Sequence, residues 1–106
     1  MSYQSLQEET LLAIATTTGS DAEPLTQRCK GWNFVFTAAS VTTGATIEIQ
    51  AGFGSGSWVT IHTETITANG ETIAQSENGV FKKLRANITS YTDGTYSVFA
   101  QGCLGN

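Results

Sequence analysis

The chain has 106 residues, a formal net charge of -4 and only 13% charged residues, so its polarity comes mainly from Thr, Ser, Gly and Asn. That length suits one domain able to bury roughly two-thirds of its unfolded surface. Five basic residues, in two small groups, Arg28 with Lys30 and Lys82, Lys83 with Arg85, are too few for a nucleic-acid surface, which needs clustered Lys and Arg, and one His with two Cys in no Cys-x-x-Cys spacing argues against a Cys/His metal site.

The first segment, MSYQSLQEETLLAIATTT, has no basic n-region, and its longest apolar run, Leu11 to Ala15, is too short to cross a membrane. The expectation is a protein made in a cytoplasm without export, and free of membrane contact. Ser5 as N-cap and Glu8 three positions later form a capping box. With acidic residues in the first turn and Leu11, Leu12, Ile14 and Ala15 as apolar content, this predicts a short helix over Ser5 to Thr16. Thr16 to Asp21 break it, and Glu23-Pro24 continues as extended chain, because the residue before proline is pushed out of the α region. Residues 1–27 are therefore read as a helix and extended arm, and residues 28–106 as a β domain. The leader either closes one end of that domain or reaches to a neighbouring subunit.

From Leu25 onward strand signals recur at short intervals. Over Arg28 to Thr37, Trp32, Phe34 and Phe36 share one face. Ala45, Ile47, Ile49 and Ala51 alternate with Thr46, Glu48 and Gln50, the pattern of a strand with one wet face. The loop GFGSGS, residues 52–57, then turns the chain into WVTIHTETIT, where Val59 and Ile61 lie opposite Trp58, Thr60 and His62. Asn69-Gly70, Asn78-Gly79 and Thr92 to Thr95 mark further turns. Val80, Leu84, Ala86 and Ile88 alternate with Phe81, Lys83, Arg85 and Asn87, and Tyr96, Val98 and Ala100 form the apolar face of a last strand. Six or seven short strands and several Gly-containing hairpins predict an antiparallel β-sandwich, immunoglobulin-like or jelly-roll-like, with the short helix and arm before it.

Cys29 and Cys103 bracket the β region. A bridge between them would contribute roughly 4 kcal/mol by chain entropy; the alternative, two reduced apolar fillers, fits a chain without an export signal.

Candidate chemistry is sparse. His62 and Glu64 face the same side of one strand, which reads as a simple exposed contact rather than as part of a Ser-His-acid triad. GFGSGS lacks the Lys-Ser/Thr ending of a phosphate loop and enters a strand rather than a helix. Asn87-Ile88-Thr89 matches a glycosylation sequon at a strand position. Lys82, Lys83 and Arg85 fit a solvated sheet edge, where Lys guards against aggregation, or salt-bridge partners, rather than a phosphate site. The expectation is a protein that is not an enzyme and takes no cofactor. Trp32 and Trp58 fit core packing, while Phe53, at the tip of a glycine loop, is the best candidate for an exposed partner contact.

The series GATIEIQAGFGSGSWVTIHTETITANGE, followed by NGVFKKLRANITSYTDGTYSVFAQG, resembles small virion proteins of tailed bacteriophages. The resemblance is carried by Ala45, Thr46, Ile47, Ile49 and Gln50, then Trp58, then Thr67 to Gly70, then Leu84 to Thr89. The Asp-Gly-Gly hairpin usual before the Trp is here Gly-Ser-Gly-Ser. The resemblance implies a non-enzymatic, multi-copy virion part: a capsid decoration or cement protein, or a head–tail or tail component. Its partners would be other virion proteins and further copies of itself, with Phe53, Trp58 and Tyr91 on the domain and Leu11, Leu12 and Ile14 on the leader as candidate contacts. The alternative, from another class, is a host-surface adhesion or carbohydrate-binding module with Phe53, Trp58 and Tyr91 as its platform.

Overall fold

The computed structural model describes residues 6–20, 31–53, 57–73, 77–78 and 83–103. These form nine strands: β1 (Leu6–Ala15), β2 (Gly19–Ser20), β3 (Gly31–Ala39), β4 (Ala45–Phe53), β5 (Ser57–Ile66), β6 (Gly70–Ile73), β7 (Glu77–Asn78), β8 (Lys83–Tyr91) and β9 (Thr95–Cys103). All pair antiparallel, in two sheets. One has the order β1-β9-β3-β6, with β7 also on β3; the other has the order β2-β8-β4-β5.

The mainly β architecture follows from alternation. Trp32, Phe34 and Phe36 on β3, Ala45, Ile47, Ile49 and Ala51 on β4, Leu84, Ala86 and Ile88 on β8, and Tyr96, Val98 and Ala100 on β9 are all buried. They belong to one core cluster to which both sheets contribute. Each strand therefore buries every second residue and leaves the others on a wetter face. Fully burying a Val, Leu, Ile or Phe side chain contributes about 1.5–3 kcal/mol, and an alanine methyl less.

The expected helix over Ser5 to Thr16 is not formed in the described part of that segment. Leu6–Ala15 is β1, paired with β9 from Leu6 opposite Cys103 to Ala15 opposite Tyr96. A capping box is worth about 1 kcal/mol, and an isolated helix of a dozen residues is marginal. Pairing along β9 and burying two leucines outweighs it. Register shifts on either side of Leu12 bulge the strand. A bulge sets two residues against one, so the neighbours Leu11 and Leu12 both turn inward, at 2% and 1% exposure. An adjacent buried pair does not fit a regular strand, which is why the segment reads as helical.

The turn residues also connect differently from expectation. Of the consecutive described strands, β4 and β5 alone pair with each other, through Phe53 opposite Ser57. Asn69-Gly70 and Thr92 to Thr95 instead carry the chain from one sheet to the other. Glycine has positive φ at Gly70 and Gly94, but Asn69 does not, so the Asn-Gly pair is no two-residue hairpin of the kind that needs both. The end of the expected arm, Cys29 with its possible bridge, and Val80 lie outside the described residues.

Candidate functional site

The outward face of β8, β4 and β5 carries the most developed side-chain arrangement among the described residues. Antiparallel register aligns Arg85, Gln50 and Thr60 in one row across the three strands, and Gly52 with Trp58 in the next. Gly52 contributes no side chain and is itself buried. The neighbouring row holds Asn87, Glu48 and Thr63.

These residues interlock. The Arg85 guanidinium carbon lies 4.1 Å from the centroid of the Trp58 ring, a cation–π contact. Arg85 Nε donates to Gln50 Oε1 at 2.7 Å, and Gln50 Nε2 donates to Glu48 Oε1 at 3.2 Å. Thr60 Oγ1 donates to the same Glu48 oxygen at 2.7 Å. Arg85, Trp58, Gln50 and Glu48 are half-buried and Thr60 is exposed, so the row is ordered yet open to solvent. It presents an indole, a donor-only guanidinium, a carboxamide that does both, and an acceptor-only carboxylate.

Alternation alone puts His62 on the same face as Trp58 and Thr60, and the structure corrects this. Gln50 pairs with Thr60 but Ile49 pairs with His62, so the bulge at Ile61 switches faces. His62 thus stands opposite the buried Ile49, with its ring 6.2 Å from that of Phe36. The expected contact with Glu64 is present, Nε2 to Oε1 at 3.0 Å, but it is not the exposed one expected: both residues lie opposite buried positions of β4 and their side chains are mostly covered.

The far end of the sheets is a closed clamp. Asp93, in the β8–β9 turn, accepts the backbone N–H groups of Thr42, Thr43 and Gly44 at 3.0–3.1 Å. The Thr42 N–H foremost, then those of Thr43 and Gly44, hold its carboxyl below the usual carboxylate range against an opposing desolvation. Asn69 Oδ1 accepts the Val41 N–H at 2.8 Å, so two turns fasten the β3–β4 loop. The Tyr96 hydroxyl donates to the Asp93 carbonyl at 2.5 Å and that of Tyr91 to the Gly94 carbonyl at 2.8 Å, the two rings meeting edge to face. Burial, and then the charge of Asp93, pushes the Tyr96 phenol up.

The residues singled out from the sequence are dispersed. Trp58 lies in the interlocked row, and the backbone of Phe53 ends β4 at the same end of the sheet. Tyr91 pairs with Ala45, seven residues further along β4 and so roughly 23 Å from the Trp58 row. It belongs to the clamp, and the two do not make one platform. Leu11 and Leu12 are core. Ile14 is 74% exposed at φ 48, where it lines a cleft of about 270 Å³ with Leu12, Ala15 and the 16–20 turn. Sequence reading passed over Arg85, Gln50, Glu48 and Thr60 as a group. Their outward alternation was visible, but their adjacency depends on strand order.

No protein-family model and no curated protein matches this chain. Among solved structures, the crystal structure of PirA aligns over 91% of this chain and 92% of its own, at 14% identity and a TM-score of 0.46.

Proposed function

We propose that the chain is a non-enzymatic, multi-copy structural component of a bacteriophage virion, a capsid decoration or cement protein or a head–tail or tail component. The observation that carries this reading is strand order. With β1-β9-β3-β6 in one sheet, β7 also on β3, and β2-β8-β4-β5 in the other, the chain crosses between sheets at six of the eight connections of the described strands. We read this as a jelly-roll sandwich, an architecture that recurs in viral capsid and lectin domains. A fold hosts many functions, so the virion assignment draws also on the resemblance carried by Ala45 to Gln50, Trp58, Thr67 to Gly70 and Leu84 to Thr89. Low charge and a Thr/Ser-rich surface suit close lateral packing of copies with little repulsion. Many copies gain avidity from a small contact each, and closed symmetric homo-oligomers are the common case.

The test is mass spectrometry and electron microscopy of purified phage particles. The expected result is the chain at a fixed, symmetry-related copy number and density at a defined position; particles that lack it overturn the reading. A second reading, an adhesion or carbohydrate-binding module, is favoured by one observation, the stacked Trp58 and Arg85 on an open sheet face.

A further inference from the structure

We propose that the outward face of β8, β4 and β5 is a binding subsite for a neutral sugar ring with two neighbouring hydroxyls, built on Trp58, Arg85, Gln50, Glu48 and Thr60. The proposal rests on the carbohydrate-binding reading and is independent of any place in a virion.

The geometry supplies what such a ligand needs. A sugar hydroxyl both donates and accepts, so a site that reads two of them must offer both capacities side by side. Arg85 gives donors alone, Glu48 acceptors alone, and Gln50 and Thr60 bridge them. The guanidinium uses one of its five donors on Gln50, and its planar fork suits a pair of adjacent oxygens. Stacking on the indole fixes the plane of that fork, and the bond from Nε fixes its rotation within the plane. The groups are thus ordered before any ligand arrives, which lowers the entropy cost of binding.

Charge selects the ligand class. Among the described side chains, one guanidinium and one carboxylate lie in adjacent rows of this face, so an acidic sugar or phosphate gains at Arg85 what it loses at Glu48. A neutral ring meets no such opposition.

The test is an NMR titration of the intact chain with a panel of neutral mono- and oligosaccharides, and with sialylated and uronic acid sugars as acidic comparators, at millimolar concentration. The expected result is saturable shifts for at least one neutral sugar, centred on the Trp58 indole N–H and the Gln50 side chain. Arg85→Lys, which keeps charge but loses the fork, and Glu48→Gln should each weaken binding about tenfold or more, a loss of about 1.4 kcal/mol, while lowering the melting temperature by only a few degrees, about 4–8 °C per kcal/mol, so that both variants stay folded under the titration conditions. Binding of a neutral sugar that persists undiminished in both variants overturns the subsite and leaves the carbohydrate reading standing. Response to acidic sugars alone overturns the proposed ligand class, and response to none of the panel overturns subsite and carbohydrate reading together.

Discussion

Arg85 stacks on Trp58 across an intervening strand. The guanidinium lies 4.1 Å from the ring centroid, although β8 and β5 are both neighbours of β4 and not of each other. Two strand spacings amount to about 9–10 Å, so the side chains meet above β4, where Gly52 opposite Trp58 leaves the surface without a side chain. This pair should contribute about 0.5–1 kcal/mol as a partly exposed cation–π contact. A double-mutant cycle with Arg85→Ala and Trp58→Leu, read by thermal melts, measures it. Additive single effects would show that the stacking is energetically empty.

Acid should loosen the clamp at the other end. The Asp93 carboxyl is held low by the backbone N–H groups of Thr42, Thr43 and Gly44, so the folded state binds its proton less readily than the unfolded state. The contribution is fully present above the ordinary carboxylate pKa of about 4 and disappears as pH falls through the lowered folded value. Asp93→Asn should therefore melt below the wild type at neutral pH, and the gap should close as the pH drops below about 4. A gap of constant size across the titration would show that the charge is not what matters.

Two glycines of similar backbone conformation should respond very differently to alanine. Gly44 has φ +121, and a Cβ there would sit 1.8 Å from the Ile66 carbonyl oxygen; Gly19 has φ +118 with nothing within 4 Å. Gly19→Ala should cost only backbone strain, about 1–2 kcal/mol. Gly44→Ala must also displace backbone on β5 and should leave little folded protein. Equal melting temperatures for the two would contradict this packing.

The bulged strand β1 makes a prediction at three positions within four residues. Leu11→Ala and Leu12→Ala should each cost about 2–5 kcal/mol, as deletions from a filled core. Ile14→Gly should be neutral or stabilising by up to about 1 kcal/mol, because a β-branched residue at φ 48 is strained and its side chain is 74% exposed. Denaturant melts of the three variants decide it. A large loss for Ile14→Gly would mean that the side chain is held by more than this fold provides.

Removing the Tyr96 hydroxyl tests whether the clamp is tied to the core. The ring is fully buried and its hydroxyl donates to the Asp93 carbonyl, so Tyr96→Phe should cost about 1 kcal/mol. Combined with Asp93→Asn it should be less than additive, since both act on one turn.

Much of this molecule was legible as alternation. Trp32, Phe34 and Phe36, or Ile47 and Ile49, declare their inward face because successive strand residues point to opposite sides, a local property of the backbone. Composition and alternation likewise determined a mainly β chain. Departures from regular pairing were not legible. Bulges at Leu11 and Ile61 each move a residue to the other face, turning Leu11 inward beside Leu12 and separating His62 from Thr60. Such a shift depends on what the partner strand offers, and no local signal announces it. Turn residues such as Asn69-Gly70 marked where the chain reverses, but a reversal within a sheet and a crossing between sheets use the same glycine. Only the tertiary structure decided strand order, and with it that Arg85, 27 residues beyond Trp58 in sequence, would lie over its ring. That contact and the row around it come from the pairing of β8 and β5 on opposite sides of β4, a choice made by the whole core at once.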